Sequence, residues 1–165
     1  MGSQITLLRR IRLLTGFFIG SLFLSGATAI PLNEEVDLLV SWAHRVRNTS
    51  PAPTWIFWLE RVQTALRETS NAHPFLFYGT DWLAFGHFII ALFFIGAYKH
   101  PVRNRWLYQF GMIACALVPV WALVFGHLRG IPGWWQMIDA SFGVMGFLPM
   151  WLCNRWADRL EVAAA

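Results

Sequence analysis

The side chains in this sequence that could do chemistry are few, and they sit beside long apolar runs. Asp81, His87, His127, Arg129 and Asp139 are the ionisable groups at or within the outer ends of three such runs. Three of them fall in "GHLRGIPGWWQMIDASFG", residues 126–143, around a Gly-Ile-Pro-Gly turn and a Trp pair. An ionisable group inside a membrane-crossing helix is expensive, so it is kept for a partner, a ligand or a proton path. An Asp and a His at equal depth can share a hydrogen bond, and an Arg above them can close the network or hold an anion. Whether these residues meet depends on the elements that carry them.

Hydrophobic residues make up 56% of the chain and charged ones 13%, against about 25% charged in soluble domains. Four stretches of about 17 to 22 residues are each long enough to cross a hydrocarbon core. They are 13–30, 82–98, 106–127 and 134–153. The expected fold is an all-α bundle of four transmembrane helices forming one domain over 1–165. The segment 31–80 between the first two spans is expected to form two external amphipathic helices.

Arg9, Arg10 and Arg12 precede the first run, and "SGATAIP" follows it, which also suits a secretory signal. The apolar run is longer than a usual signal core. Gly16 and Gly20 form a GxxxG helix-packing pattern, so a retained helix is the better reading. With that end cytoplasmic, Lys99, Arg103, Arg105, Arg155 and Arg159 also fall inside, and Arg129 alone marks the short outer loop. This distribution follows the positive-inside rule of a bacterial inner membrane, with 31–80 on the periplasmic side. Nucleic acid is not an expected partner, because the basic residues flank apolar spans and do not line a solvated stripe.

In the external segment, Asn33 is expected to cap a helix with Glu34 and Glu35 in its first turn and Arg45 and Arg47 in its last. Val36, Leu39, Val40 and Ala43 form its apolar stripe. After "SPAP", Thr54 is expected to cap a second helix carrying Trp55, Trp58, Leu59, Val62 and Leu66 on one face.

Antiparallel packing brings Asp81, His87, His127, Arg129 and Asp139 to the outer layer. His87 and Asp139 each lie five residues inside a span's first Trp, about 8 Å deep. Asp139 shares a face with Gly143 and Gly146, and His87 with Ala84 and Ala91. Small residues on a membrane helix mark contact with another helix. An Asp139–His87 pair is therefore expected, either as a clasp that sets helix register or as a ligand site open to the outer side. Haem b held by His87 and His127 is conceivable, but their heights differ by a turn or more, so no cofactor is expected. Zinc on His87, His127 and Asp139 would lack any ligand-spacing motif. Cys115 and Cys153 read as small apolar packers. No GxSxG, HExxH, P-loop or dinucleotide fingerprint occurs, and Ser141 has no nucleophile elbow, so no catalytic residue is assigned.

"YGTDWLAFGH", "GMIACALVPVWAL" and "RGIPGWWQMIDASFGVMGFLP" together resemble a family of small bacterial four-helix integral membrane proteins with no assigned activity. That resemblance covers nearly the whole chain and implies topology only. A more distant likeness is to VanZ-like envelope proteins, whose pattern Arg129 and Asp139 fit. Asp81 and His87 are more widely spaced than in that pattern, and Gly143 stands at its Asn position. Two functions follow as expectations. One is an accessory subunit of a larger membrane complex, respiratory or photosynthetic, with membrane lipids and other integral subunits as partners. The other is an envelope protein binding a lipid-linked or cell-wall ligand at its outer polar layer.

Overall fold

The computed structural model describes residues 2–46 and 53–163, and they are almost wholly helical, with no strand among them. The helices are α1 (Gly2–Thr28), α2 (Leu32–Val46), α3 (Thr54–Ala72), α4 (Tyr78–Lys99), α5 (Arg105–Leu128) and α6 (Gly133–Val162), with a single 3-10 turn at Pro74–Phe77 before α4. Three segments are long and apolar enough to cross a membrane: Gln4–Thr28, Pro74–Lys99 and Arg105–Leu128. Only 17%, 22% and 17% of their most apolar windows are buried within the protein. Most of that apolar surface must therefore be covered by lipid or by another chain.

The expected fourth span, 134–153, is not among the three. It lies inside α6, a 30-residue helix, but Gln136, Asp139 and two indoles in its first turns and Asn154 and Arg155 beyond lower its mean hydropathy. The helices of the other three spans begin earlier than expected, α1 at Gly2 and α4 at Tyr78. Apolar runs mark hydrocarbon contact, whereas helical hydrogen bonding continues into the polar flanks.

The chain forms two compact units, residues 1–21 with 90–165, and residues 22–89. In the first, α5 and α6 pack as an antiparallel hairpin along a seam of small residues. Gly111 lies against Met150, Cys115 against Gly146, the Cys115–Pro119 turn against Gly143, and Gly126 against Gln136. The turn between them is a Schellman cap. Gly130 adopts a left-handed φ of 68°, its N–H donates to His127 O at 3.1 Å, and Ile131 N–H donates to Gly126 O at 2.9 Å. Gln136, buried, adds an Nε2 hydrogen bond to Ile131 O at 2.7 Å.

In the second unit the end of α1 packs on the start of α4 at Gly26, where a Cβ would lie 2.9 Å from Ala84 O and 3.0 Å from His87 Cβ. Helices α2 and α3 form a hairpin around Val36, Val40, Ala43, Ile56 and Leu59. Arg67 and Gln63 both donate to the Asp37 carboxylate, at 2.9 and 2.7 Å, and His44 pairs with Glu60 at 3.0 Å. Several local expectations change here. Asn33 does not cap α2: the helix starts at Leu32, two residues earlier than such a cap would place it, Pro31 O accepts from Glu35 N–H, and Asn33 Oδ1 is buried with no partner among the described residues. Pro53, not Thr54, stands at the N-cap of α3. Leu39 is exposed, and Ile56 joins Leu59 in the core where Trp55, Trp58, Val62 and Leu66 are half-buried. Arg47 lies outside the described residues.

The Arg67 hydrogen bond, followed by that of Gln63, holds the Asp37 carboxyl below its ordinary value of 3.8. A carboxylate lowered on folding contributes stability above its unfolded pKa and loses it as pH falls through the folded one. The α2–α3 clasp is therefore expected to persist through mildly acidic pH and to loosen only below the ordinary carboxylate range. The Trp42–Trp55 ring pair, 6.4 Å apart across the hairpin, gives the readout as a near-ultraviolet circular dichroism titration. Asp37→Asn should abolish that acid transition.

Candidate functional site

Each residue of the expected outer layer has a definite setting. In the 22–89 unit, Asp81 is exposed in the first turn of α4, where a carboxylate suits the helix dipole. His87 is half-buried with its Cβ against Gly26, and its Nδ1–H donates to Leu83 O at 2.8 Å. That bond selects the tautomer that leaves Nε2 as an acceptor. No hydrogen bond or ion pair joins Asp81 to His87 among the described residues.

In the other unit, His127 and Arg129 are exposed around the Schellman cap, and neither makes an ion pair with Asp139 among the described residues. Asp139 is half-buried. Its carboxylate lines a groove of about 430 Å³ together with Ala114, Leu117, Val118, Trp121 and Ala122. Ser141 spends its hydroxyl on Ile138 O at 2.6 Å. The expected Asp139–His87 pair takes one residue from each unit. Of the four glycines expected at helix contacts, Gly143 and Gly146 meet α5 closely. A Cβ at Gly16 would be 3.6 Å from the Tyr98 ring, and one at Gly20 would meet nothing within 4 Å.

The best-developed polar site was not singled out from sequence. It lies at the opposite end of the α5–α6 hairpin and is built from four helices of the 1–21/90–165 unit. Tyr108, fully buried on α5, donates its hydroxyl to Ala97 O on α4 at 3.1 Å and lies 3.0 Å from Thr15 Oγ1 on α1. Thr15 in turn reaches Ile11 O at 2.8 Å, and Cys153 on α6 donates its S–H to the same carbonyl at 3.7 Å. The reason lies in the backbone. Ala97 O would take its helical hydrogen bond from residue 101, but that residue is Pro101, which has no N–H. The Tyr108 hydroxyl supplies the missing donor. Asn104, one turn before Tyr108, adds an Nδ2 hydrogen bond at 2.9 Å to the neighbouring Gly96 O, which also keeps its helical donor, His100 N–H, at 3.0 Å.

Above this network the charged helix ends converge. Gln4 Nε2 reaches Ala163 O at 3.4 Å, so the first and last helices end together. Arg105 bonds Asn154 at 3.0 Å, Asp158 at 2.6 Å and Glu161 at 3.4 Å. Arg155 lies over the Trp151 ring at 5.3 Å.

The chain matches no family model, no curated protein and no solved structure. Among the described residues no cluster of three His, Cys, Asp or Glu is placed to hold a metal ion. The buried hydroxyls and thiol bond to backbone carbonyls and to one another, so the arrangement joins α1, α4, α5 and α6.

Proposed function

We propose that this chain is a non-catalytic bacterial inner-membrane protein that serves as an accessory subunit of a larger complex, respiratory or photosynthetic in type. In this reading it belongs with the small four-helix membrane proteins its sequence resembles. Helices α1, α4, α5 and α6 cross the membrane, both chain ends are cytoplasmic, and α2–α3 lies on the periplasmic side. The close N- and C-terminal ends support the even number of crossings. The length of α6, about 45 Å by helical rise, is ample for a fourth span.

The observation that carries the reading is the outer face of the α2–α3 hairpin. Asp37, Gln63, Arg67, His44 and Glu60 pair within the hairpin, yet Leu38, Leu39, Trp42 and Phe57 remain exposed, Trp42 by 56% and Phe57 by 70%. Neither helix is apolar enough to cross a membrane. An exposed aromatic and aliphatic face of this kind fits a protein partner rich in complementary apolar surface.

Gentle detergent extraction, native electrophoresis and mass spectrometry test it. The expected result is a stoichiometric assembly that Trp42→Ser/Phe57→Ser releases without unfolding the chain. Migration of the unsubstituted protein as a lone 18.9 kDa species would overturn the reading.

A second reading has its own support in Asp139, a carboxylate with no partner among the described residues, at the edge of an apolar groove. There the chain would be a VanZ-like envelope protein holding a cationic or hydroxylated group of a lipid-linked ligand. A lone species whose ligand retention is lost in Asp139→Asn favours this second reading.

A further inference from the structure

We propose that Arg9, Arg12 and the Tyr98 hydroxyl form a binding site for the phosphate of an anionic glycerophospholipid. The inference rests on the membrane-crossing part of the preceding reading and not on a partner complex. Arg9 and Arg12 are three residues apart on one face of α1, and with Leu13 and Tyr98 they line a pocket of about 280 Å³. Neither guanidinium makes a hydrogen bond or ion pair with a described residue. Both acidic residues at this end, Asp158 and Glu161, are already engaged by Arg105. Among the described residues no acidic side chain at this end is left to neutralise the pocket.

Tyr98 is held for the same purpose. Its ring lies beside α1 where Gly16 leaves room, a Cβ there being 3.6 Å from the ring edge, and its hydroxyl has no partner among the described residues. Two forked guanidiniums and a phenol donor match the oxygens of a phosphodiester. What favours a lipid over free phosphate is the surface below. Leu13 and Phe17, 73% and 64% exposed, continue down α1 from the pocket and offer an apolar track for acyl chains. A basic pocket between membrane helices with such a track is the pattern expected for anionic headgroups.

The test uses the full chain purified in mild detergent, with native mass spectrometry and titration of phosphatidylglycerol against phosphatidylcholine. One phosphatidylglycerol per chain should be retained preferentially. Arg9→Gln/Arg12→Gln should weaken its retention on the order of tenfold, and Tyr98→Phe, which keeps the ring on Gly16, by about threefold. The pair Arg10→Gln/Arg159→Gln removes the same charge outside the pocket and should weaken it by no more than about twofold. Equal retention of the two lipids, or equal losses from the two Arg pairs, would overturn the inference. Displacement of the lipid by millimolar inorganic phosphate would overturn it as well. Failure of the membrane reading would show separately, as release of the protein from membranes by alkaline carbonate.

Discussion

Replacing Gly143 with alanine is expected to destabilise the α5–α6 hairpin by about 1–3 kcal/mol, the usual cost of overpacking a close contact. A Cβ at this position would fall 2.5 Å from Cys115 O, 2.7 Å from Pro119 Cδ and 2.9 Å from Val118 Cβ. None of these atoms can swing aside as the end of a flexible side chain could. The site also has a cause. Pro119 has no N–H to offer Cys115 O, four residues earlier, so the helix leaves that carbonyl free, and α6 approaches it most closely at a residue without a side chain. A Cα–H of Gly143 over this carbonyl is the weak hydrogen bond that recurs at such crossings. At Gly146 and Gly126 an added Cβ would instead meet side-chain atoms only, the Cys115 thiol at 2.7 Å and Gln136 Cγ at 2.6 Å, so neither clash falls on backbone. Gly20→Ala meets nothing and should gain up to about 1 kcal/mol from helix propensity. Thermal or dodecyl sulfate unfolding followed by circular dichroism should therefore rank Gly143→Ala lowest, Gly146→Ala and Gly126→Ala between, and Gly20→Ala at or above the parent. A Gly143→Ala protein as stable as Gly20→Ala would show that the seam does not depend on this approach.

Tyr108→Phe is expected to cost a comparable amount, about 1–3 kcal/mol, because it leaves a buried acceptor unsatisfied while barely changing volume. Ala97 O loses its donor, and Thr15 loses its partner on α5. In an apolar medium no water can take over either role. Thr15→Val should add less to Tyr108→Phe than it costs alone, since the two groups share one network. A rescue follows from the backbone argument. Pro101→Ala restores an N–H at the position that would pair with Ala97 O, so it should recover part of the Tyr108→Phe loss while doing nothing comparable in the parent. Unfolding by the same method checks all three. No recovery in the double variant would mean that the freed carbonyl is not what the hydroxyl serves.

The all-helical architecture and the Gly130 turn were legible in the sequence, for a local reason. Apolar runs of span length can satisfy their backbone only as helices in an apolar medium. A glycine two residues before a proline, at the end of an apolar run, is a stop signal that any window of a few residues contains. Asp139 and His87 were legible as unusual groups, but their expected meeting was not settled by their depth along each helix. Depth follows from rise per residue, whereas partners depend on how each helix is rotated about its own axis. The structure turns His87 onto Leu83 O and Gly26, and Asp139 into a groove of α5 and α6.

Tyr108 and Thr15 went unnoticed, and Cys153 was read only as an apolar packer, because each alone is an ordinary residue in an apolar helix. Pro101, seven positions before Tyr108, was the one available sign that a carbonyl would need a donor. Of the GxxxG pair, Gly16 faces the Tyr98 ring of α4 and Gly20 has nothing within 4 Å of an added Cβ, since a glycine spacing shows that a helix can be approached closely but not which of its positions is. What the sequence determined by itself was therefore the set of helices, their breaks and the ends that carry charge, all consequences of interactions within a few residues. Which glycines are contacts, which carbonyls need a side chain and which cations stay unpaired were decided by tertiary structure. Those outcomes depend on residues far apart in the chain, 142 positions for Ile11 and Cys153, and no local pattern specifies such a pairing.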